Sequence, residues 1–284
     1  MHLDKQLSKI QFNDGGCTRH NPNPNMPSFS FPNDSFRVRN GERVVKHESF
    51  DLFNPNVLGL GDITNESISR PTIAALFDLQ AFTVFCKQIE PHLSVPIYLS
   101  GFLNWIFGAI RKETIEKKYK KGVLMWHDLP FFTKFMGDGL LVLWDTTSMG
   151  QTAQHNIILS CENIISDYEN AFLPQMRRKV ADTPPLLRCG IAKGTVFSVG
   201  NGEDFVGSCI NVAARLQKLA ALPIAFARRG FNPEEQWKDY ATTMRNWQLM
   251  QVSVRGIGEK ELVYIRKSDF RKLPEPDKKL FQEP

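Results

Sequence analysis

The sequence contains no Cys-x-x-Cys pair, no internal repeat, no long block of one charge sign and no apolar run long enough to span a bilayer. Each absence removes a class of protein. The five cysteines (Cys17, Cys86, Cys161, Cys189 and Cys209) are scattered and odd in number. They form neither a disulfide framework nor a zinc site, so a reducing, cytoplasmic setting is expected. The most apolar segment, 95–110, is broken by Pro96, Ser100, Gly101 and Asn104. It falls short of the roughly 20 residues a spanning helix needs, so no membrane partner is expected. Residues 1–15 are polar and charged, which is not the pattern of a secretory leader. The net charge of +5 is mild and dispersed, so it suits an anionic substrate but does not call for nucleic acid. The densest basic run, Lys117-Lys118-Tyr119-Lys120-Lys121, follows Glu113 and Glu116. It reads as Glu-to-Lys pairing on a solvated helix face.

What is present is a core. Of 284 residues, 42% are hydrophobic and 21 are Phe, which supports one large domain or two small ones. Residues 1–65, rich in Asn, Pro, Ser and charge, read as an extended arm anchored by Phe29, Phe31, Phe36 and Phe50. A folded domain over 66–284 follows. The nearly continuous apolar run from Thr72 to Phe77 predicts a buried central strand that ends at Asp78. A short helix is expected to follow it, then a long one over 97–118, with Phe102, Ile106, Phe107, Ile110 and Ile115 on one face. A strand over 122–126 leads to a hairpin over 131–145, turned by Gly137-Asp138-Gly139. The stripe Ile157, Ile158, Cys161, Ile164, Ile165 and Tyr168 predicts a helix over 151–172. Strands are expected at 186–192 and 194–199, a helix at 208–219, strands at 222–227, 247–254 and 261–265, and then a polar end. The order gives an α+β fold, a ferredoxin-like βαββαβ core with extra C-terminal strands.

Two carboxylates stand out in that order. An Asp between glycines is ordinary turn chemistry when taken alone. Here the strand ending at Asp78 lies beside the hairpin carrying Asp138, so both reach one edge of the sheet. Two such carboxylates suit a divalent cation that takes oxygen ligands and leaves room for substrate phosphates. The N–H groups of Gln80, Ala81, Phe82 and Thr83, at a helix start, suit a phosphate. Asn211 and Arg215, four residues apart, share a helix face. An amide there can bond a ribose, and a guanidinium can stabilise charge growing on a phosphoryl oxygen. The plain alternative makes Asn211 a helix cap and Arg215 a surface residue.

Four stretches resemble, in family order, the motifs of the class III nucleotidyl cyclases. They are Leu76-Phe77-Asp78-Leu79-Gln80-Ala81-Phe82-Thr83, Lys134-Phe135-Met136-Gly137-Asp138-Gly139, Leu187-Arg188-Cys189-Gly190-Ile191-Ala192-Lys193-Gly194 and Gly207-Ser208-Cys209-Ile210-Asn211-Val212-Ala213-Ala214-Arg215-Leu216. The resemblance covers residues 71 to about 265 and makes 66–284 a catalytic domain. It implies Asp78 and Asp138 as holders of two Mg²⁺ or Mn²⁺ ions, Asn211 as the ribose-orienting residue and Arg215 as the transition-state arginine. It also implies Lys134 and Asp204 as the pair that reads the base. Arg255, in the turn Val254-Arg255-Gly256-Ile257-Gly258, stands where the family places a phosphate-contacting basic residue. A head-to-tail homodimer with composite sites is implied, acting on a nucleoside triphosphate. The whole chain is most similar to the cyclases of bacterial pyrimidine-cyclase antiphage systems (Pycsar), including Ser198-Val199-Gly200-Asn201-Gly202-Glu203-Asp204-Phe205-Val206-Gly207. That implies cyclic UMP, or cyclic CMP, made to activate a separate effector.

Lys134 donates and Asp204 accepts, which suits adenine, cytosine and uracil and leaves cyclic AMP as the alternative product. Phe135 and Met136 are bulky for a purine pocket. Three other readings account for less. An RNA-binding sheet leaves both aspartates unexplained. A catalytically inactive regulatory partner should lack a metal aspartate or Arg215. A diguanylate cyclase has a different acidic hairpin.

Overall fold

The run from Thr72 to Phe77 becomes the middle of β3 (Ser69–Leu79), a strand buried on both faces. The computed structural model describes residues 36–39, 42–45, 51, 54–120, 122–231, 233 and 244–284. It divides into two compact units, Met1–Asn65 and Glu66–Pro284. In the first, β1 (Phe36–Arg39) and β2 (Glu42–Val45) form an antiparallel hairpin. Phe29, Phe31, Phe50 and the side chain of Phe36 lie outside the described residues.

The second unit is built on a nine-stranded sheet. After β3 come α1 (Phe82–Phe85) and α2 (Pro91–Thr114), then β4 (Ile115–Tyr119) and β5 (Gly122–Met125). Next are β6 (Phe132–Phe135), β7 (Gly139–Asp145) and α3 (Gln151–Asp167), which continues through one π turn (Tyr168–Phe172) into α4 (Leu173–Met176). β8 (Leu187–Val199), β9 (Asp204–Val206), α5 (Ser208–Leu216) and β10 (Ile224–Ala227) complete the middle of the chain. β11 (Trp247–Val254), β12 (Gly258–Arg266), α6 (Lys267–Lys272), α7 (Glu275–Lys278) and β13 (Phe281–Gln282) close it. The sheet order is β13-β11-β12-β10-β8-β3-β7-β6, with β9 paired to the end of β8. Its β8-β3-β7-β6 part is antiparallel throughout and has the order of a ferredoxin-like βαββαβ core.

The run in β3 is continuous because the sheet is covered on both sides. Ile73, Ala75 and Phe77 face α2 and α3, packing with Tyr98, Phe102, Ile106, Ile157, Cys161 and Ile165. Ala74 and Leu76 face α5, packing with Cys209, Val212, Ala213 and Leu216. A strand with helices on both faces loses the polar alternation of a half-exposed one.

Several elements differ from expectation. β8 is one strand of 13 residues, because Gly194 pairs opposite Thr72 within the ladder and does not turn the chain. α2 starts at Pro91, which suits a first helical position, and runs through Pro96. At 24 residues it is long and apolar enough, by length and composition, to cross a bilayer. Its Tyr98, Phe102, Ile106 and Ile110 are nevertheless committed to the core, while Phe107 faces outward. α2 ends at Thr114, so the basic run lies on the β4–β5 hairpin and no helical Glu-to-Lys spacing exists there. Glu113 instead meets Lys112 (3.5 Å) and accepts from Asn163 (2.7 Å). The C-terminus is not merely polar: Phe281 is buried, packs edge-on to Phe270 and adds β13 to β11.

Candidate active site

Register places the two aspartates side by side. Asp78 stands opposite Gly139 in the β3–β7 pairing, one residue from Asp138. The Leu79 N–H donates to the Asp138 carbonyl at 2.9 Å, fixing the turn onto the strand. The turn is closed by Met136 N–H to Gly139 C=O, also 2.9 Å. Gly139 is required by proximity, since a Cβ there would lie 2.2 Å from the Phe77 carbonyl oxygen. Asp138 is half-exposed, whereas Asp78 is 5% exposed.

Asp78 is not a bare buried charge. Arg188, opposite it in the β3–β8 ladder, donates through Nη2 to its carboxylate at 2.5 Å. Burying a carboxylate without such a partner would cost several kcal/mol, on the order of the desolvation penalty for one ion. The Arg188 Nε is itself buried and has no hydrogen-bond partner among the described residues. A buried N–H with nothing to bond marks a place for an acceptor. Arg188 stands within the third of the cyclase-like motifs, where the sequence alone assigns it no role. The signal is a cation flanked by Leu187 and Cys189 in a largely apolar strand, which must be paired with something.

Beside this pair lies the start of α1. The Gln80 N–H is taken by the Leu186 carbonyl (2.9 Å). Those of Ala81, Phe82 and Thr83 have no acceptor among the described residues. Ala81 sits in the left-handed region (φ 60°), which turns the chain sharply enough to start the helix there.

Lys134 on β6 and Asp204 at the start of β9 are 70 positions apart and form an ion pair. Asp204 also accepts from the Phe205 N–H (2.9 Å). Phe205 lies against Phe131 (5.2 Å) and Phe132 (5.0 Å), and these ring contacts pin β9 over the sheet edge. Phe135 and Met136, next to Lys134, are exposed.

α5 is held tightly to β8. A Cβ on Gly190 would lie 2.0 Å from the Ala213 carbonyl oxygen, so only glycine admits the helix this close. Cys209, Val212, Ala213 and Leu216 face the sheet, which leaves Asn211 and Arg215 on the outer face. Both are exposed, and neither side chain has a hydrogen-bond or ion-pair partner among the described residues. Asn211 does not cap α5, whose cap residue is Gly207. No bond links Asn211 or Arg215 to Asp78 or Asp138. Arg255 is exposed in the β11–β12 turn, beyond the Ala227–Val263 pairing and toward the sheet end away from Asp78.

Among the described residues there is no cluster of three or more His, Cys, Asp and Glu side chains. A cation on Asp78 and Asp138 would therefore have two carboxylates from this chain, with the rest of its shell from water and ligand. That donor set fits Mg²⁺ or Mn²⁺ bound together with a polyphosphate, and does not fit a closed structural metal.

No family model matches the chain, and no curated protein matches it. Among solved structures it is similar to a bacterial light-regulated adenylyl cyclase (19% identity, TM-score 0.48) over 78% of this chain and 60% of that one. It spans 70% of its own length, and all of the other chain, on the guanylate cyclase domain of RhGC from Catenaria anguillulae in complex with GTP (14%, TM-score 0.46). An adenylate/guanylate cyclase/hydrolase from Silicibacter pomeroyi is similar over 71% of this chain and 98% of that one (17%, TM-score 0.41).

Proposed function

We propose that the chain is a class III nucleotidyl cyclase, turning a nucleoside triphosphate into its 3′,5′-cyclic nucleotide and pyrophosphate. The observation that supports it most is the junction of β3 and the β6–β7 turn. Two carboxylates there adjoin a buried guanidinium with an unpaired N–H and three free backbone N–H groups. Such a corner takes a cation-bound polyphosphate. In the reaction the ribose 3′-oxygen forms a bond to the α-phosphorus, the bond from that phosphorus to the pyrophosphate oxygen breaks, and the 3′-hydroxyl proton is lost to solvent. Divalent cations, when bound, lower the charge of the triphosphate and favour the ionised 3′-oxygen. Asp78 and Asp138 hold them, and Ala81, Phe82 and Thr83 offer N–H donors to phosphate oxygens. Arg188 neutralises Asp78, and its spare N–H would take an acceptor from the same ligand.

Asn211 and Arg215 complete the site from a second copy of the chain, in head-to-tail pairing. Asn211 orients the ribose and Arg215 stabilises charge on the α-phosphoryl group. Arg255, also from the second copy, meets the phosphates. Lys134 and Asp204 read the base, and separating them exposes one donor and one acceptor to it. The exposed Phe135 and Met136 beside Lys134 favour a small base, hence UTP or CTP. The cyclic pyrimidine nucleotide would then act on a separate effector in antiphage defence.

The test mixes two inactive proteins. Asp138→Ala and Arg215→Ala should each make no product from any of the four nucleoside triphosphates with Mg²⁺ or Mn²⁺, read by mass spectrometry. In an equal mixture, half the dimers are mixed and each has one intact site. About a quarter of wild-type activity should therefore return. No recovery, with both variants folded, would remove the composite site. Product from Asp138→Ala alone would remove the cation assignment.

A further inference from the structure

The lysine-rich segment is left unused by the nucleotide site, and its structure is not the solvated helix face that its composition suggests. β4 and β5 pair only with each other, outside the main sheet. Tyr119, Val123, Leu124, Met125 and Trp126 are each between 43% and 56% exposed. Register puts Lys117 opposite Leu124 and Lys118 opposite Val123. One face therefore carries Lys117, Tyr119 and Leu124, and the other Lys118, Val123 and Met125. The Lys117 ammonium lies over the Tyr119 ring at 5.5 Å. β5 is the apolar side of the hairpin and β4 the charged side. Residues 115–126 hold four lysines against one glutamate, a surplus of three in a chain whose total is five.

A lone two-stranded hairpin that wets both faces is marginal in water, so its surface calls for a partner. Charge decides which one. A second copy set hairpin to hairpin would oppose like charges across the twofold axis. A nucleic acid would stack on Tyr119 and Trp126 but leave Val123, Leu124 and Met125 wet. An anionic bilayer surface satisfies both parts. Aliphatic side chains reach the acyl boundary, aromatic rings settle at headgroup level, and lysine stems extend to lipid phosphates.

We propose that the β4–β5 hairpin docks this protein on anionic membrane surfaces, lying in the headgroup layer with β5 inward and with no segment crossing the bilayer. The contact stands apart from the nucleotide site and does not depend on it. It departs from the expectation that the protein has no membrane partner.

Flotation of the full chain with vesicles tests it. Phosphatidylcholine vesicles containing phosphatidylserine should retain the protein, while phosphatidylcholine alone should not, and high salt should release it. Lys117→Glu with Lys118→Glu should weaken binding by about thirtyfold or more, the effect of two lysine contacts at an anionic surface. Leu124→Ser with Trp126→Ser should weaken it as well, with an unchanged melting temperature and unchanged product formation. Equal retention on both vesicle types, no retention, or retention by either variant at the wild-type level overturns the proposal. A change of oligomeric state in Leu124→Ser/Trp126→Ser also overturns it, by assigning the hairpin to a second copy. Release of bound RNA by the lysine variant, without lipid binding in the wild type, overturns it in favour of nucleic acid.

Discussion

The two faces of the sheet are built for different purposes. On the side of α2 and α3 the core is aromatic and sealed. Tyr98, Phe102, Trp105, Tyr168 and Phe172 pack ring against ring, and the Tyr98 and Tyr168 hydroxyls share a 2.6 Å hydrogen bond. Tyr168 donates its own O–H to the Pro184 carbonyl (2.6 Å), so both buried hydroxyls are satisfied. Of the residues proposed for the site, Phe82 packs against this core, and its proposed contact with phosphate is made by its backbone N–H. On the α5 side the side chains are smaller, and Asp78, Arg188, Asn211, Arg215 and the Lys134–Asp204 pair all fall there. One face is given over to aromatic packing, and the other, beside its own apolar core, carries the polar groups of the proposed site. Asn211 and Arg215 show this most clearly, because they are solvated and have no side-chain partner among the described residues.

That contrast can be broken by measurement. Phe102→Ala removes a fully buried ring from the sealed side. It should cost about 3–5 kcal/mol in denaturant unfolding, with KM for the nucleotide unchanged in the fraction that stays folded. A small loss of stability would mean that this side is not the structural one. Arg188→Ala probes the border between the two roles, since it leaves Asp78 buried and unpaired. A loss of about 3 kcal/mol is expected, with weaker Mn²⁺ binding or none by calorimetry, because the remaining carboxylate loses the partner that orients it. A gain in metal affinity at full stability would show that Arg188 competes with the cation instead of positioning Asp78.

His155 on α3 supplies a pH handle on the sealed side, because burial pushes its imidazole down to about 4 from an ordinary 6.5. The unfolded chain takes up that proton first. Stability should therefore fall as pH drops below about 6.5 and level off near 4, by at most about 3 kcal/mol. His155→Gln should flatten that slope in melting curves taken across the window. At the other extreme, Arg215→Ala should change stability by no more than about 0.5 kcal/mol, as for a solvated residue, although product formation is proposed to depend on it. A melting temperature that falls with Arg215→Ala would place the guanidinium in the fold after all.

Legibility followed the same division. The Thr72–Phe77 run and the Ile157–Tyr168 stripe announce β3 and α3, because burial on a sheet or helix imposes a period or a continuous run. The lysine run misled because Glu and Lys are good helix formers whose spacing imitates helical pairing. Nothing local signals that the chain turns back at residue 120. Gly194 read as a break because glycine more often ends a strand than admits a neighbouring helix. Asp78 and Asp138 could be linked from element order, since consecutive antiparallel strands tend to lie together. Joining Lys134 to Asp204 took the resemblance to a family, because no periodicity connects residues so far apart. Arg188 was legible only as an oddity, a cation in a largely apolar strand, whose partner had to be seen.

The residues proposed to read the base are carried by the rim of the sheet: β6 is its last strand, and β9 hangs from the end of β8. Asp78 and Arg188 sit on two neighbouring interior strands, β3 and β8, locked by an eleven-pair ladder. Marginal strands accept new side chains and small shifts that a central one would reject. Nucleotide preference in such a scaffold is free to drift by exchange at positions 134–136 and 204–205, while the phosphorus chemistry stays fixed beneath it.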